Sequence, residues 1–154
     1  MDAPGAARVT ERLRAAGMRT TAPRLAVHGA IAELGGHRSV DEVVAHLRET
    51  GTPLPRASVY NSVDALVRAG VVLAADAGPG RALYEAGEDF HHHFVCRRCG
   101  AVRDVACVVG VKPCLEPAFE GGVVEEAQVI FRGLCDTCAA ASPNDGATRA
   151  AAPA

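Results

Sequence analysis

The stretch HHHFVCRRCG, from His91 to Gly100, places three histidines and two cysteines within ten residues. A second cysteine pair follows, Cys135 and Cys138 in GLCDTC. Each Cys-x2-Cys can clamp one ion through a tight turn, and Gly100 supports the first of them. Four thiolates in a tetrahedron suit Zn2+, which is redox-inert and needs no open position. The spacing therefore predicts a structural zinc held by Cys96, Cys99, Cys135 and Cys138. The alternative is two separate dithiols or disulfides. Doublets at both ends of a small domain fit a staple better.

The histidines are then left for a different ion. On a strand, His91 and His93 point to one face and His92 to the other. Two imidazoles on one face make half of a site for Fe, Mn, Ni or Zn. Glu85 and Asp104 are the nearest plausible carboxylates, and His37 could arrive from the N-terminal part of the chain. The plainer alternative is a solvated histidine run. His28 and His46 read as structural histidines. Enzyme motifs are missing: there is no G-x-S-x-G, no phosphate-binding Walker loop and no H-E-x-x-H. Gly100 follows Cys99 where a c-type haem site needs histidine, and the H-x-E and P-C-x-x-C of a zinc deaminase are absent. The expectation is a protein that is not an enzyme.

Several elements must position these groups. Val9, Leu13 and Ala16 mark a short helix ending at Gly17. A second helix follows, with Thr21 as a plausible N-cap and Pro23 tolerated in the first turn. Val27, Ile31 and Leu34 form its apolar stripe, and Gly35-Gly36 ends it. Ser39 to Glu42, SVDE, fits a capping box. Val40, Val43, Val44 and Leu47 then recur at helical spacing up to Gly51. In the fourth helix, PRASVYNSVDALVRAG, Val59, Val63, Leu66 and Val67 face inward and Ser58, Tyr60, Asn61, Asp64 and Arg68 outward. VVLAA and ALYE, split by DAGPGR, read as a hairpin with Arg81 at its tip.

Helices followed by a hairpin are the layout of a winged helix. The predicted fold class is α+β, with a winged-helix domain over residues 1–85. A small α/β unit is predicted over 86–138, with strands in HFVC, VRDVAC and VVEEAQVIFRG and a short helix in KPCLEPAF. Such a unit is marginal on core burial alone, so a metal or a dimer interface would help it. Residues 139–154, rich in Ala, Pro, Ser, Asp and Gly, read as a disordered tail.

The chain of 154 residues carries a net charge of −2, which by itself argues against non-specific nucleic-acid binding. The charge is uneven, however. Five arginines (8, 12, 14, 19, 24) stand in the first 24 residues against Asp2 and Glu11. No apolar run approaches the roughly 18 residues that span a membrane, and a signal-peptide pattern is lacking. A cytoplasmic protein without membrane contact is expected.

These motifs together resemble the Fur (ferric uptake regulator) family of bacterial metal-dependent repressors, from about Arg8 to Cys138. The resemblance rests on TAPRLAVHGAI, ASVYNSVDALVRAG, HHHFVCRRCG and GLCDTC. It implies a winged-helix DNA-binding domain, a hinge and an α/β dimerisation domain with structural zinc. Carried over by residue, zinc would take Cys96, Cys99, Cys135 and Cys138. A regulatory ion, Fe2+ or Mn2+ with Ni2+ or Zn2+ as alternatives, would take His37, Glu85, His91, His93 and Asp104.

Within the family, four of those five match the peroxide-sensing PerR branch. Glu85 departs from it, since that branch carries Asp there, while Asp104 is PerR-like. A further metal site of some members needs histidines where this chain has Ala127 and Phe90, so it is expected to be absent. Cys107 and Cys114 in VACVVGVKPCLEP, with EEAQVIFRGLC, look like the actinobacterial FurA group, which represses catalase-peroxidase genes. They are either a redox pair or two buried small residues.

The resemblance implies a homodimer on double-stranded DNA with a palindromic operator. Arg24 and the N-terminal arginines suit phosphates or an A·T-rich minor groove. Tyr60 can pack on a thymine methyl and Asn61 can read a base edge; Ser58 lies beside them, and Arg81 suits a phosphate. An ion gripped by both domains would set the separation of two recognition helices and so the affinity for DNA. The rival readings are a zinc- or nickel-uptake regulator, a thiol-based redox protein without a DNA role, and a zinc-stapled interaction module.

Overall fold

The computed structural model describes residues 3–78, 81–87, 91–106 and 129–141. Four helices come first: α1 (Ala3–Ala15), α2 (Ala22–Leu34), α3 (Val40–Glu49) and α4 (Arg56–Arg68). A two-stranded antiparallel hairpin follows, β1 (Val72–Asp76) and β2 (Ala82–Ala86), with Val72 opposite Ala86 and Asp76 opposite Ala82. The described C-terminal part holds β3 (His92–Cys96), β4 (Val102–Val105), β5 (Ile130–Gly133) and α5 (Asp136–Ala140). Its strand order is β4-β3-β5, with β3 antiparallel to β4 and parallel to β5.

The helices pack because their apolar residues recur on one side. Val9 and Leu13 of α1, Val27 and Ile31 of α2, Val43 and Leu47 of α3, and Val59, Val63 and Leu66 of α4 are all buried in one core. Val71 and Val72 extend that core into the hairpin. Three helices end alike. After α1 the Met18 N–H reaches the Leu13 carbonyl and the Gly17 N–H that of Arg14. The same pair of bonds closes α3 at Gly51 and α4 at Gly70. All three glycines have positive φ, the left-handed turn that satisfies terminal carbonyls.

The capping box is present: the Ser39 side chain accepts from the Glu42 N–H and the Glu42 carboxylate from the Ser39 N–H. Thr21 is the N-cap residue of α2, as expected, though its side chain makes no capping bond; Pro23 has no N–H to offer. Three expectations are corrected. Ala16 lies beyond α1 and is exposed, because the chain already turns at Gly17. Ser58 is half-buried, not exposed, since its carbonyl accepts a hydrogen bond from Ser62 Oγ on the inner face. Helix α5 runs through Ala139 and Ala140, two residues into the segment read as tail. The rest of that segment, the KPCLEPAF helix, Phe90, Ala127, Cys107 and Cys114 lie outside the described residues.

Candidate functional site

Two side-chain clusters stand out. In the first, Cys96, Cys99, Cys135 and Cys138 bring one sulfur each to within 4.8 Å of one another. Cys96 ends β3 and Cys135 is the N-cap residue of α5. The parallel register of β3 and β5, Cys96 opposite Gly133, brings the two doublets together. Gly100 closes the first doublet with φ +71°, and its N–H reaches the Cys96 carbonyl. A Cβ there would collide with the Arg81 guanidinium. All four thiols are free, so the disulfide alternative is not what the structure forms.

The donor set fits a tetrahedral ion. Bonds of about 2.3 Å to Zn2+ require sulfur–sulfur separations of about 3.8 Å, and the Cys99 and Cys135 sulfurs stand 3.7 Å apart. The N–H groups of Cys99 and Cys135 hold the Cys96 thiol down at about 6, while hydrogen bonding from Cys135 and burial push Cys138 up to about 12. An ion that takes four thiolates must release whatever thiol protons the cluster carries.

In the second cluster, His37, Glu85, His91, His93 and Asp104 each bring one ligand atom to within 4.8 Å of one another. Three local pairings build it. The N–H groups of Arg38 and Tyr84 each donate to the other's carbonyl at 2.8 Å. In that antiparallel bridge the residues on either side, His37 and Glu85, come opposite each other. In the β3–β4 register His93 lies opposite Asp104. His91 is two residues before His93, so alternation returns it to the same face. His92 goes to the other face, edge-on to Phe131.

Contacts within the cluster are close. His91 Nε2 is 2.6 Å from Glu85 and 3.1 Å from His93 Nε2, and His93 Nε2 is 3.4 Å from Glu85. His37 Nε2 lies 3.2 Å from Asp104 and 3.7 Å from Glu85, yet it is buried and makes no hydrogen bond. A buried ring nitrogen near two carboxylates, without hydrogen-bond geometry, is oriented as a ligand to a shared ion. Ligands about 2.1 Å from one centre stand about 3.0 Å apart when adjacent, close to these separations. Two carboxylates and three neutral imidazoles also balance a divalent cation. Burial pushes His93 below the usual histidine range, with His37 and His91 adding to the effect and Glu85 opposing it. Its ring is thus neutral and ready to ligate at pH 7. Asp104, 57% exposed, opens the site to solvent.

Neither His28 nor His46 joins a cluster among the described residues; His46 pairs with Glu33 at 3.1 Å. The residues predicted to meet DNA are spread over three elements. Arg24 on α2 donates to the Arg19 carbonyl. Tyr60 and Asn61 are exposed on α4, and Arg81 on the hairpin leans against Gly100. Tyr60 has a partner that the sequence reading missed. Arg56, one turn earlier, places its guanidinium 5.6 Å from the Tyr60 ring centre and pairs with Asp41 on α3. The available signal was a basic residue in the first turn of a helix, where the macrodipole disfavours it.

Among the described residues, no helix is long and apolar enough to cross a membrane. Residues 15–108 match the ferric uptake regulator family. The chain is 42% identical over 124 residues to ferric uptake regulation protein 1 of Mycolicibacterium fortuitum, covering 79% of this chain and 76% of that protein. It is 38% identical over 130 residues to the transcriptional regulator FurA of Mycobacterium tuberculosis, covering 83% and 88%. It is 32% identical over 128 residues to the zinc uptake regulation protein of the same species, covering 82% and 98%. In fold it is similar to the ferric uptake regulator of Pseudomonas aeruginosa solved with manganese. That match has a TM-score of 0.63 at 22% identity and covers 82% of this chain and 97% of the other. On the strength of these matches the chain belongs to the ferric uptake regulator family, whose members are metal-responsive, DNA-binding transcription regulators and not enzymes.

Proposed function

We propose that this protein is a metal-dependent homodimeric repressor that responds to iron and peroxide and controls oxidative-stress genes such as a catalase-peroxidase. Residues 1–85 form the winged-helix DNA-binding domain and 86–138 the dimerisation domain. Cys96, Cys99, Cys135 and Cys138 hold structural zinc. His37, Glu85, His91, His93 and Asp104 hold Fe2+ or Mn2+. Tyr60, Asn61, Ser58, Arg24 and Arg81 face a palindromic operator.

The single observation carrying this reading is the convergence of ligands from separate parts of the chain. His37 precedes α3, Glu85 lies on the hairpin, His91 immediately precedes β3, and His93 and Asp104 lie on β3 and β4. An ion that all five grip favours one arrangement of the helical half against the sheet. Binding energy is then spent on selecting that arrangement. In a symmetric dimer it sets the separation of two α4 helices, which must enter successive major grooves. Exposed Phe131 and Leu134 offer apolar surface for the dimer.

Fe2+, when bound, supplies one-electron chemistry toward peroxide beside imidazoles that oxidation would damage. His91 and His93 are the rings beside Glu85, and loss of either would release the sheet half from the helical half. The test loads the zinc-containing chain with Fe2+ or Mn2+, adds hydrogen peroxide, and measures affinity for the upstream DNA of its target gene. Loss of binding by the iron form alone is expected. Equal survival of both forms overturns peroxide sensing.

A second reading is zinc uptake control, favoured by the 32% identity to the zinc uptake regulation protein. One N/O site accepts several divalent ions in the general affinity order. A titration of DNA affinity with Fe2+, Mn2+, Zn2+ and Ni2+ separates the two readings.

A further inference from the structure

Arg56 opens α4 next to Pro55, an N-cap residue that makes no side-chain capping bond. A cation in a helix's first turn opposes the macrodipole, so helix stability does not explain it. Its guanidinium donates to the Tyr60 hydroxyl at 3.3 Å and lies over that ring. Its other contact is the Asp41 carboxylate, in the first turn of α3. Both members of the ion pair are more than half exposed, Arg56 at 59% and Asp41 at 64%. They border a cavity of about 700 Å³ between α3, α4 and the hairpin, which Arg81 and Tyr84 also line.

An exposed pair of this kind contributes little to stability and opens readily. What it does is hold a planar, two-pronged donor on the ring of Tyr60. Arginine's fork matches paired acceptors, either the oxygens of a phosphate or the O6 and N7 of guanine.

We propose that Arg56 is a specificity-determining DNA contact of α4, oriented by Tyr60 and held until docking by Asp41, which DNA must displace. This rests on the reading of α4 as the DNA-facing helix. Asp41 acts as a competing acceptor. It weakens contact with any single anion by about threefold, so the fork is favoured where DNA presents paired acceptors in the right place.

The experiment uses the full chain loaded with zinc and Mn2+, and a duplex that the wild-type protein selects from a randomised library. Affinity is measured across a salt series for wild type, Arg56→Ala, Asp41→Asn, their double variant and Tyr60→Ala, with circular dichroism as the folding control. Arg56→Ala is expected to weaken binding about tenfold and to reduce the log–log salt slope by about one. Asp41→Asn is expected to tighten binding about threefold, and the double variant to bind like Arg56→Ala alone. A change of preference confined to one base pair per half-site identifies guanine as the acceptor, whereas uniform weakening across sequences identifies a phosphate contact and overturns the specificity role.

The proposal is overturned if Arg56→Ala binds normally, or if the Asp41→Asn gain persists without Arg56. If Tyr60→Ala and metal removal weaken binding while Arg56→Ala does not, only this inference falls. If none of the three weakens binding, the DNA reading of α4 falls with it.

Discussion

Arg38 and Tyr84 exchange backbone hydrogen bonds in both directions at 2.8 Å, and this short bridge carries the loop before α3 onto the hairpin. Its consequence is chemical: His37 and Glu85, the neighbours of the bridged pair, are delivered to one place. Proline at position 38 would remove one of the two donors and restrict His37 toward extended conformations. Losing one such hydrogen bond costs about 1 kcal/mol. Arg38→Pro is expected to lower affinity for the exchangeable ion by about tenfold or more while leaving zinc in place. Calorimetric metal titration with elemental analysis checks both halves of the statement.

The two clusters should separate by mutation. His91→Ala and His93→Ala are expected to abolish the exchangeable ion and metal-dependent DNA binding, with zinc retained at one per chain. Cys96→Ser should instead release zinc and unfold the C-terminal half, because a structural ion contributes its binding energy to folding. Metal content per chain and proteolytic resistance distinguish the outcomes. Two ions lost together in His93→Ala would contradict the separation.

Gly100 has φ +71° and lies against the Arg81 guanidinium. Gly100→Ala must adopt a left-handed conformation at a cost of order 1–3 kcal/mol, whereas the exposed Arg81 guanidinium can swing aside at little cost. The first cysteine doublet is then expected to lose zinc more readily. Faster release to a chromogenic chelator is the readout. Arg81→Ala combined with Gly100→Ala should recover little, because the backbone conformation carries most of the cost.

Burial holds His93 below the usual histidine range. The unfolded chain therefore takes up that proton at a higher pH than the folded chain. The contribution of His93 to stability is complete above about pH 6.5 and is lost as pH falls through the lowered folded value. The zinc-loaded chain without the exchangeable ion should lose Tm on acidification from about pH 7 to 5. In His93→Gln that fall should be shallower. Melting curves at stepped pH check the sign. Exchangeable-ion affinity should fall over the same range, because the ligating imidazoles must be unprotonated.

Ser39 caps α3 reciprocally with Glu42. Ser39→Ala should cost about 1 kcal/mol, visible as a lower denaturant midpoint with an unchanged slope. Leu66, fully buried among the helices, should cost about 2–5 kcal/mol as alanine.

What the sequence determined by itself was local. Apolar residues three and four apart placed the helices, glycine and serine marked their ends, and strand alternation put His91 and His93 on one face and His92 on the other. Cysteine spacing marked two clamps, because a doublet holds an ion through a single turn. Such features depend on residues within a few positions of one another, where backbone geometry leaves few choices. The set joining His37, Glu85 and Asp104 to His91 and His93 came from the family resemblance and not from local spacing.

Tertiary structure decided which of those groups meet. His37 reaches Glu85 only through the Arg38–Tyr84 bridge, and Asp104 reaches His93 only through the β3–β4 register. The two cysteine doublets meet only because β5 returns parallel to β3. The pairing of Arg56 with Asp41 and Tyr60 had no signature beyond a misplaced cation, since it depends on how α3 and α4 cross. Long-range contacts of this kind are fixed by the packing of the whole core and by strand register. Those are properties of the folded chain that no short stretch of residues encodes.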